Sequence, residues 1–291
     1  MRSSHILALA LAVGGVGMSM VPEAPAQSRR QVREQAEATM VLTGQIDIGT
    51  AGQVDGFRLD KRDQVDDAIA RFVEGAVNAW QFEPVLVDGR AVPAHTPVRI
   101  RLGGKNTPDG RQQVSLLAAN FEEYKADALD HVTKQQLRAP AYPEDVYRAG
   151  GQGVVLLLVQ VGRDGKVMDV ATEQVNLRVV GSEAQMRGMR DRLSRASLAA
   201  ARKWTFKIPT VGEFKDAPSW TLRVPVDFAF DDDHERYGRW SAYIPGPRQQ
   251  APWRADQALG ADANADLLPQ GGVFMADAAN SGPRLLSPLG G

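Results

Sequence analysis

The stretch between Gly153 and Phe230 restricts the fold most, because it carries a complete series of secondary-structure signals. Two apolar runs joined by a glycine turn predict a β-hairpin, since glycine accepts a positive φ without a Cβ clash. A helical stripe that ends in Trp-Thr-Phe follows, and then a last apolar run. In chain order these pieces are Gly153–Val161, Gly162–Gly165, Lys166–Val170, Met189–Phe206 and Trp220–Phe228.

The same order of signals occurs once earlier, between Met40 and Leu102. This earlier stretch has a turn from Gly49 to Gly52, Trp-Gln-Phe at the end of its helical stripe, and a strand that begins with Pro97. Five apolar positions match at a constant separation of 124 residues: Val65, Ile69, Phe72, Ala76 and Trp80 with Met189, Leu193, Ala196, Ala200 and Trp204. We interpret the match as an internal duplication.

The duplication predicts an α+β fold of two small β-β-α-β modules with antiparallel sheets, over residues 39–103 and 139–231. Asp63 is the predicted N-cap of the first helix. Residues 104–138 are predicted to be a linker that contains a helix over Val114–Leu137. Its apolar side chains fall near one face at helical spacing: Leu117, Phe121, Tyr124, Ala128 and Val132.

Residues 232–291 are rich in proline and glycine and show no hydrophobic period, so a disordered tail is predicted. Three scattered aromatic residues in the tail are candidates for weak docking: Tyr243, Trp253 and Phe274.

The N-terminus reads as a secretory signal peptide over residues 1–26, because a basic start, an apolar run and Ala24-Pro-Ala26 follow one another. Cleavage would fall between Ala26 and Gln27, which predicts a protein exported from the cytoplasm. The alternative is an uncleaved inner-membrane anchor over residues 6–21, although a helical span needs roughly 20 apolar residues.

Charge and cysteine content exclude several classes of function. The 34 basic and 35 acidic residues nearly cancel, so the sequence predicts no nucleic-acid partner, and a membrane partner only if the N-terminal segment is retained. The chain has no cysteine, which excludes disulfides and thiol catalysis.

No catalytic motif stands out, so the sequence predicts a protein that is not an enzyme and has no cofactor. The serine nucleophile elbow, the phosphate loop and the His-x-x-x-His pair are all absent. His234 lies beside Asp231 to Asp233, and a weak divalent-metal site is one interpretation of this run. A solvated acidic run is the interpretation we favour, so no metal site is predicted.

The second stretch resembles the C-terminal domain of the TonB family of energy transducers over about residues 139–230. The resemblance is carried by Pro140-Ala-Tyr-Pro143, the strand from Gly153, the turn Gly162-Arg-Asp-Gly165, the helix Leu198 to Arg202, and Trp204-Thr-Phe206. The first stretch looks like a degenerate copy, since it keeps the turn, the helix and Trp80-Gln-Phe82 but lacks the Tyr-Pro lead-in.

The resemblance implies a periplasmic module that binds a short segment of an outer-membrane receptor as an added strand, in transport across the outer membrane. Another periplasmic protein is the alternative partner. Carried over to this sequence, the partner-binding residues lie in the lead-in and the last strand: Tyr142, Pro143, Trp220, Arg223, Val224 and Pro225.

Two alternatives to partner binding stay open. Pro97 and Pro225 predict sheet edges, because proline cannot donate to a ladder, and such an edge either accepts a strand or is protected against aggregation. The second alternative is that the protein is a structural envelope scaffold or a homodimer. Trp80 and Trp204 are predicted to be core residues, whereas Trp220 fits the core and the binding site equally well.

Overall fold

The computed structural model describes five ranges of the chain: residues 37–106, 112–230, 237–254, 267–276 and 282–290. The predicted signal peptide over residues 1–26 and the alternative anchor over residues 6–21 lie outside them. Within the described ranges, no helix has the length and apolar character needed to cross a bilayer.

The fold is α+β, as predicted, with most regular residues in strands. In chain order the elements are β1 (Glu37–Ile48), β2 (Val54–Leu59), α1 (Asp67–Asn78), β3 (Leu86–Val87), β4 (Arg90–Ala91), β5 (Ala94–Asn106), β6 (Gln112–Asn120), β7 (Thr133–Gln136), α2 (Glu144–Arg148), β8 (Gly153–Gly162), β9 (Val167–Leu177), α3 (Glu183–Ala201), β10 (Thr205–Lys207), β11 (Ser219–Phe228), β12 (Ser241–Tyr243) and β13 (Phe274–Met275).

The first sheet is built around β1, with β5 along one side and β6 beyond β5. β2 and β12 share the other side of β1, because β12 pairs only with its first residues and β2 only with its end. The predicted β1–β2 hairpin and the predicted third strand, β5, are both confirmed.

α1 covers one face of the first sheet and buries three side chains in its core: Ala70, Val73 and Val77. The helix begins at Asp67, where the Asp66 carboxylate accepts two backbone N–H groups of the first turn. The prediction of Asp63 as the N-cap was wrong. Lys61 adopts a left-handed φ of 43°, and the next three residues form a separate 3₁₀ turn.

The second sheet has the order β9-β8-β11-β13, and all its pairs are antiparallel. α3 packs on β8 and β9 and begins with a capping box between Ser182 and Gln185. The core of this sheet is separate from the first and contains Leu157, Leu193 and Trp204.

The two sheets end their hairpins in the same way. Gly52 and Gly165 have φ values of +83° and +73°, and a Cβ on either would collide with the carbonyl oxygen of Phe82 or Phe206, respectively. The N–H of Phe82 donates to the Gly52 oxygen at 2.7 Å, and that of Phe206 to the Gly165 oxygen at 2.8 Å. Each turn therefore needs glycine for its conformation and for the close approach of a Trp-x-Phe segment.

The predicted helix over Val114–Leu137 was wrong. Its first residues form β6, which pairs with β5, and Thr133–Gln136 form β7, which pairs with β10. Leu116 is buried whereas Leu117 is exposed, so neighbouring side chains point to opposite faces, as in a strand. Pairing with the edge of β5 outweighs the helical spacing of the segment.

The prediction of a disordered tail was wrong for the described residues after Phe230. β12 pairs with β1, Gln249 N donates to the Glu173 oxygen at 2.7 Å, and β13 pairs with β11, so this part of the chain contacts both sheets. The prediction from composition failed because the tail is held by single large side chains, and these occur in the sequence with no hydrophobic periodicity. Those packed into the cores include Tyr237, Trp240, Val273 and Phe274.

The three aromatic residues singled out in the tail all have contacts. The Tyr243 ring lies 4.1 Å from the Arg101 guanidinium carbon. Trp253 Nε1 donates to the Thr221 hydroxyl at 3.3 Å, and Phe274 is buried in β13.

Candidate partner-binding site

The candidate site is the outer edge of β11. On its inner side β11 pairs with β8 along its whole length, from Ser219 to Phe228. On its outer side it pairs with β13 at two positions, Leu222 with Met275 and Arg223 with Phe274. Within the described residues, no strand lies on the outer side of Val224–Phe228.

The direction of the backbone groups on this edge follows from one hydrogen bond. Ala276 N donates to the Thr221 oxygen at 2.8 Å, so the backbone of Thr221 points outward. Because alternate residues of a strand direct their N–H and C=O to the same edge, Arg223, Pro225 and Asp227 point outward too. Pro225 presents a carbonyl to the outer edge but has no N–H to donate.

The predicted lead-in residue Tyr142 lies at the end of β11. Its ring packs edge-on against Phe228 at 5.2 Å and stacks on Phe230 at 6.0 Å. Tyr147 of α2 completes this aromatic cluster, and 55% of its surface is exposed. The Tyr142 hydroxyl donates to the Gly151 oxygen at 2.5 Å, which fixes the ring beside the strand.

Pro143 directs the lead-in toward this cluster. It is the N-cap residue of α2, with φ −62° and ψ 123°, so the chain is extended immediately before the helix. The helix begins at the next residue, Glu144, and ends at Arg148.

The side chains of the other predicted site residues are held inside the second sheet. Trp220 and Val224 belong to the core, and Trp220 Nε1 donates to the Phe214 oxygen at 3.0 Å. Arg223 makes a bidentate ion pair with Glu173 across β8, at 2.8 and 3.0 Å. Pro225 is buried. These positions therefore present mainly backbone to a partner, and their role in binding remains a prediction.

One residue of the site was not found from the sequence. Arg178 pairs with the Asp227 carboxylate and also donates to the Phe228 oxygen at 3.2 Å, so it holds the end of β11 to the end of β9. The two partners of the ion pair are 49 residues apart, and no local pattern connects them.

A cavity of about 590 Å³ with both polar and apolar walls lies between the two sheets. Two histidines on its wall each pair with an aspartate, His95 with Asp47 at 2.7 Å and His131 with Asp130 at 2.8 Å. The hydrogen bond from His131 lowers the pKa of Asp130. Among the described residues, no group of three His, Asp or Glu side chains is arranged to hold a metal, and His234 lies outside those residues.

The geometry defines an α+β protein in which, among the described residues, one edge of the second sheet is paired with another strand at only two positions. No family model matches the sequence, and no solved structure matches it. Two curated relatives do match: protein TonB of Xanthomonas campestris pv. campestris strain B100 and of strain ATCC 33913. Each is 37% identical over 100 residues, which are 34% of this chain and 39% of the relative.

The chain therefore spans about two fifths of the length of the curated relatives it matches. About a third of the chain is a TonB-like domain.

Proposed function

We propose that this chain is an exported TonB-like protein of the cell envelope that binds an extended segment of a partner as a strand beside Val224–Phe228. The observation that carries the proposal is the incomplete cover of β11, whose outer side has β13 at two positions and no further strand among the described residues. The similarity to TonB supports the class of protein.

A partner strand would continue the line of β13 and run antiparallel to β11. Main-chain hydrogen bonds would supply the affinity, at about 0.5–1.5 kcal/mol net for each. Pro225 cannot donate, which limits the number of bonds and favours a short partner segment. Selection would come from the more exposed members of the aromatic cluster, Tyr142, Tyr147 and Phe230, rather than from the buried side chains of β11.

The partner class is a segment of an outer-membrane receptor, or of another periplasmic protein, and the process is transport across the outer membrane. The protein would act in the periplasm after cleavage between Ala26 and Gln27, or from the inner membrane if residues 6–21 stay as an anchor. Its role is binding and not catalysis. The N-terminal residue of the protein recovered from cells decides between the two locations.

We also propose that the two sheets are copies of one TonB-like module, of which the first is degenerate. In both, the third strand returns beside the first strand of a hairpin and a Trp-x-Phe segment packs on the hairpin glycine. The boundaries 39–103 and 139–231 remain part of this proposal.

The alternative is a structural scaffold or a homodimer. It is favoured by β13, which already occupies Leu222 and Arg223 on the edge that a partner would use. Light scattering on the exported protein separates the two functions, because a stable dimer that protects β11 argues for a scaffold.

The test of partner binding is an affinity measurement with synthetic receptor segments. Tyr142→Ala should weaken binding at least ten-fold, since it removes the ring that contacts Phe228 and Phe230. Tyr142→Phe keeps the ring and should bind nearly normally. Tyr237→Ala, which changes a half-buried tyrosine on the first sheet, is the matched control. Equal affinity for all three variants would place the site elsewhere.

A further inference from the structure

The last described segment of the chain pairs with the short stretch that follows α1 and packs on the first core. Residues 282–290 run antiparallel to the Trp80–Glu83 segment, with Leu285 opposite Phe82. Glu83 N donates to the Arg284 oxygen at 2.9 Å, and Leu286 N donates to the Gln81 oxygen at 2.8 Å. Trp80 Nε1 donates to the Leu289 oxygen at 2.9 Å.

The side chains of this terminal segment alternate as they do in a strand on a surface. Leu285 and Leu289 pack against the first core. Odd-numbered residues from Pro283 to Leu289 are half-buried, whereas their even-numbered neighbours Arg284, Leu286, Pro288 and Gly290 are exposed. The segment is thus recognised by main-chain bonds and by two leucine contacts spaced four residues apart.

The second sheet has the same arrangement, built from a local segment. β7 runs antiparallel to β10 with Lys134 opposite Phe206, and Trp204 Nε1 donates to the Arg138 oxygen at 2.8 Å. From Lys134 to Arg138 is four residues, as it is from Leu285 to Leu289. β7 leads directly into the second sheet, however, whereas Leu289 lies 209 residues from Trp80.

The groove on the first sheet continues beyond the terminal segment. An open cavity of about 490 Å³ lies beside Pro288–Gly290, along the face of α1 that carries Phe72 and Ala76. The cavity therefore extends the apolar contact surface beyond Leu289.

We propose that the Trp80–Glu83 edge is a binding site for an extended peptide, and that residues 282–290 are its resident ligand, which a peptide added in trans can replace. The ligand class is an extended strand with apolar side chains four residues apart. This site is separate from the β11 edge and does not depend on the function proposed for that edge.

The test uses the full chain, which has no native cysteine, so one introduced cysteine carries a unique nitroxide label. Leu286→Cys places the label on an exposed position of the terminal segment. A synthetic peptide of residues 282–290 is then added. Because a tethered segment has an effective concentration on the order of mM, the peptide should mobilise the label in that concentration range and reach saturation.

Two variants sharpen the result. Leu285→Ser in the chain weakens the resident segment, so the peptide concentration needed should fall about ten-fold. Trp80→Phe removes the indole donor to Leu289, so the fraction of mobile label without peptide should rise about five-fold. The matched control is Trp204→Phe, which removes the same donor in the second sheet and should leave the label at position 286 unchanged.

A label at Gln135→Cys on β7 is the second control, because its segment is covalently continuous with the second sheet and should not respond to the peptide. A peptide with serine in place of both leucines should not compete. The proposal is overturned if the label at position 286 stays ordered at every peptide concentration, if it is mobile before peptide is added, or if the serine peptide competes equally.

Discussion

The two sheets differ in the strand that pairs with the outer side of their third strand. In the first sheet the outer side of the third strand, β5, is covered by β6 over eight residue pairs. In the second sheet the corresponding side of β11 is covered by β13 over two pairs, and β13 comes from the tail. Among the described residues, the third strand of the second sheet therefore has fewer strand partners on its outer side than that of the first.

The segments that pair with the two Trp-x-Phe sequences come from the opposite parts of the chain. Trp204-Thr-Phe206 is paired with the local strand β7, whereas Trp80-Gln-Phe82 is paired with the chain terminus. In each half of the molecule, the tail thus pairs with one of these two segments: with the Trp-x-Phe segment in the first half and with the third strand in the second. The same arrangement of hairpin, helix and third strand can therefore leave different backbone segments for the tail to pair with. Which segment is left depends on the chain that directly precedes or follows the arrangement.

The largest expected effect tests whether the two Trp-x-Phe segments are equivalent. Phe82 and Phe206 are both buried, so Phe82→Ala and Phe206→Ala should each reduce the free energy of unfolding by about 3–5 kcal/mol. Denaturant unfolding checks this. A large loss for one variant with little change for the other would contradict the equivalence of the two segments.

The second prediction compares a buried ion pair of the second sheet with an exposed histidine–aspartate pair of the first sheet. Arg223→Met leaves the buried Glu173 carboxylate without its bidentate partner and should cost about 3 kcal/mol. His95→Ala removes an exposed partner of Asp47 and should cost less than about 1 kcal/mol. Thermal unfolding of both variants, with Arg223→Met/Glu173→Leu as the paired control, measures the difference. If both variants lost the same stability, burial would not explain the difference expected between the two pairs.

The third prediction concerns the hairpin glycines. Gly52→Ala and Gly165→Ala each force a residue with a Cβ into a positive φ and against a phenylalanine carbonyl, which should cost about 2 kcal/mol. Gly89→Ala is the control, because Gly89 also has a positive φ but has open space around its Cα. If Gly89→Ala were as destabilising as the other two variants, the close approach of the phenylalanine carbonyl would contribute nothing to the loss of stability.

The fourth prediction tests the edge of β11. Pro225→Ala adds an outward N–H, so binding of a receptor segment should strengthen about three- to ten-fold, or the protein should self-associate. Pro97→Ala on the first sheet is the comparison, where β6 pairs from Arg99 onward and a smaller effect is expected. Titration and light scattering distinguish the two outcomes, and no change in either would argue against an accessible edge.

The smallest expected effect is a change in stability at alkaline pH that comes from Tyr237, which packs against the first core. Burial raises the pKa of Tyr237, whose hydroxyl donates to the Thr43 oxygen at 3.0 Å. The pKa in the folded state lies above that in the unfolded state. The contribution of Tyr237 is therefore fully present below about pH 10 and is lost as the pH rises through the higher folded value. The difference in melting temperature between the native chain and Tyr237→Phe should change over that range, and a constant difference would contradict the assignment.

Local patterns made much of the fold predictable. The two hairpins, the helix before Trp204 and the last strand follow from alternation, from helical spacing and from glycine turns within a few residues. The sequence predicted a helix where β6 lies, because the apolar residues of Val114–Leu137 fit the repeat of a helix as well as that of a strand. Only pairing with β5 decides between the two structures. The tail contacts could not be predicted because they depend on isolated side chains such as Trp240 and Phe274.

The candidate site was predictable only in part. Tyr142 and the end of β11 do meet, but a resemblance and not a local pattern connected them. The ion pair of Arg178 with Asp227 and the cover that β13 gives to β11 join residues far apart in sequence. Long-range pairing of this kind has no signal in a single sequence.

The most direct test of the β11 edge is photo-crosslinking in cells from single positions on the two sheets. A photoreactive residue in place of Tyr147 lies in the aromatic cluster beside β11, and one in place of Leu117 lies on β6, which covers the equivalent strand of the first sheet. We expect a crosslinked outer-membrane receptor from position 147 and none from position 117. The same product from both positions, or a receptor product from position 117 alone, would contradict it.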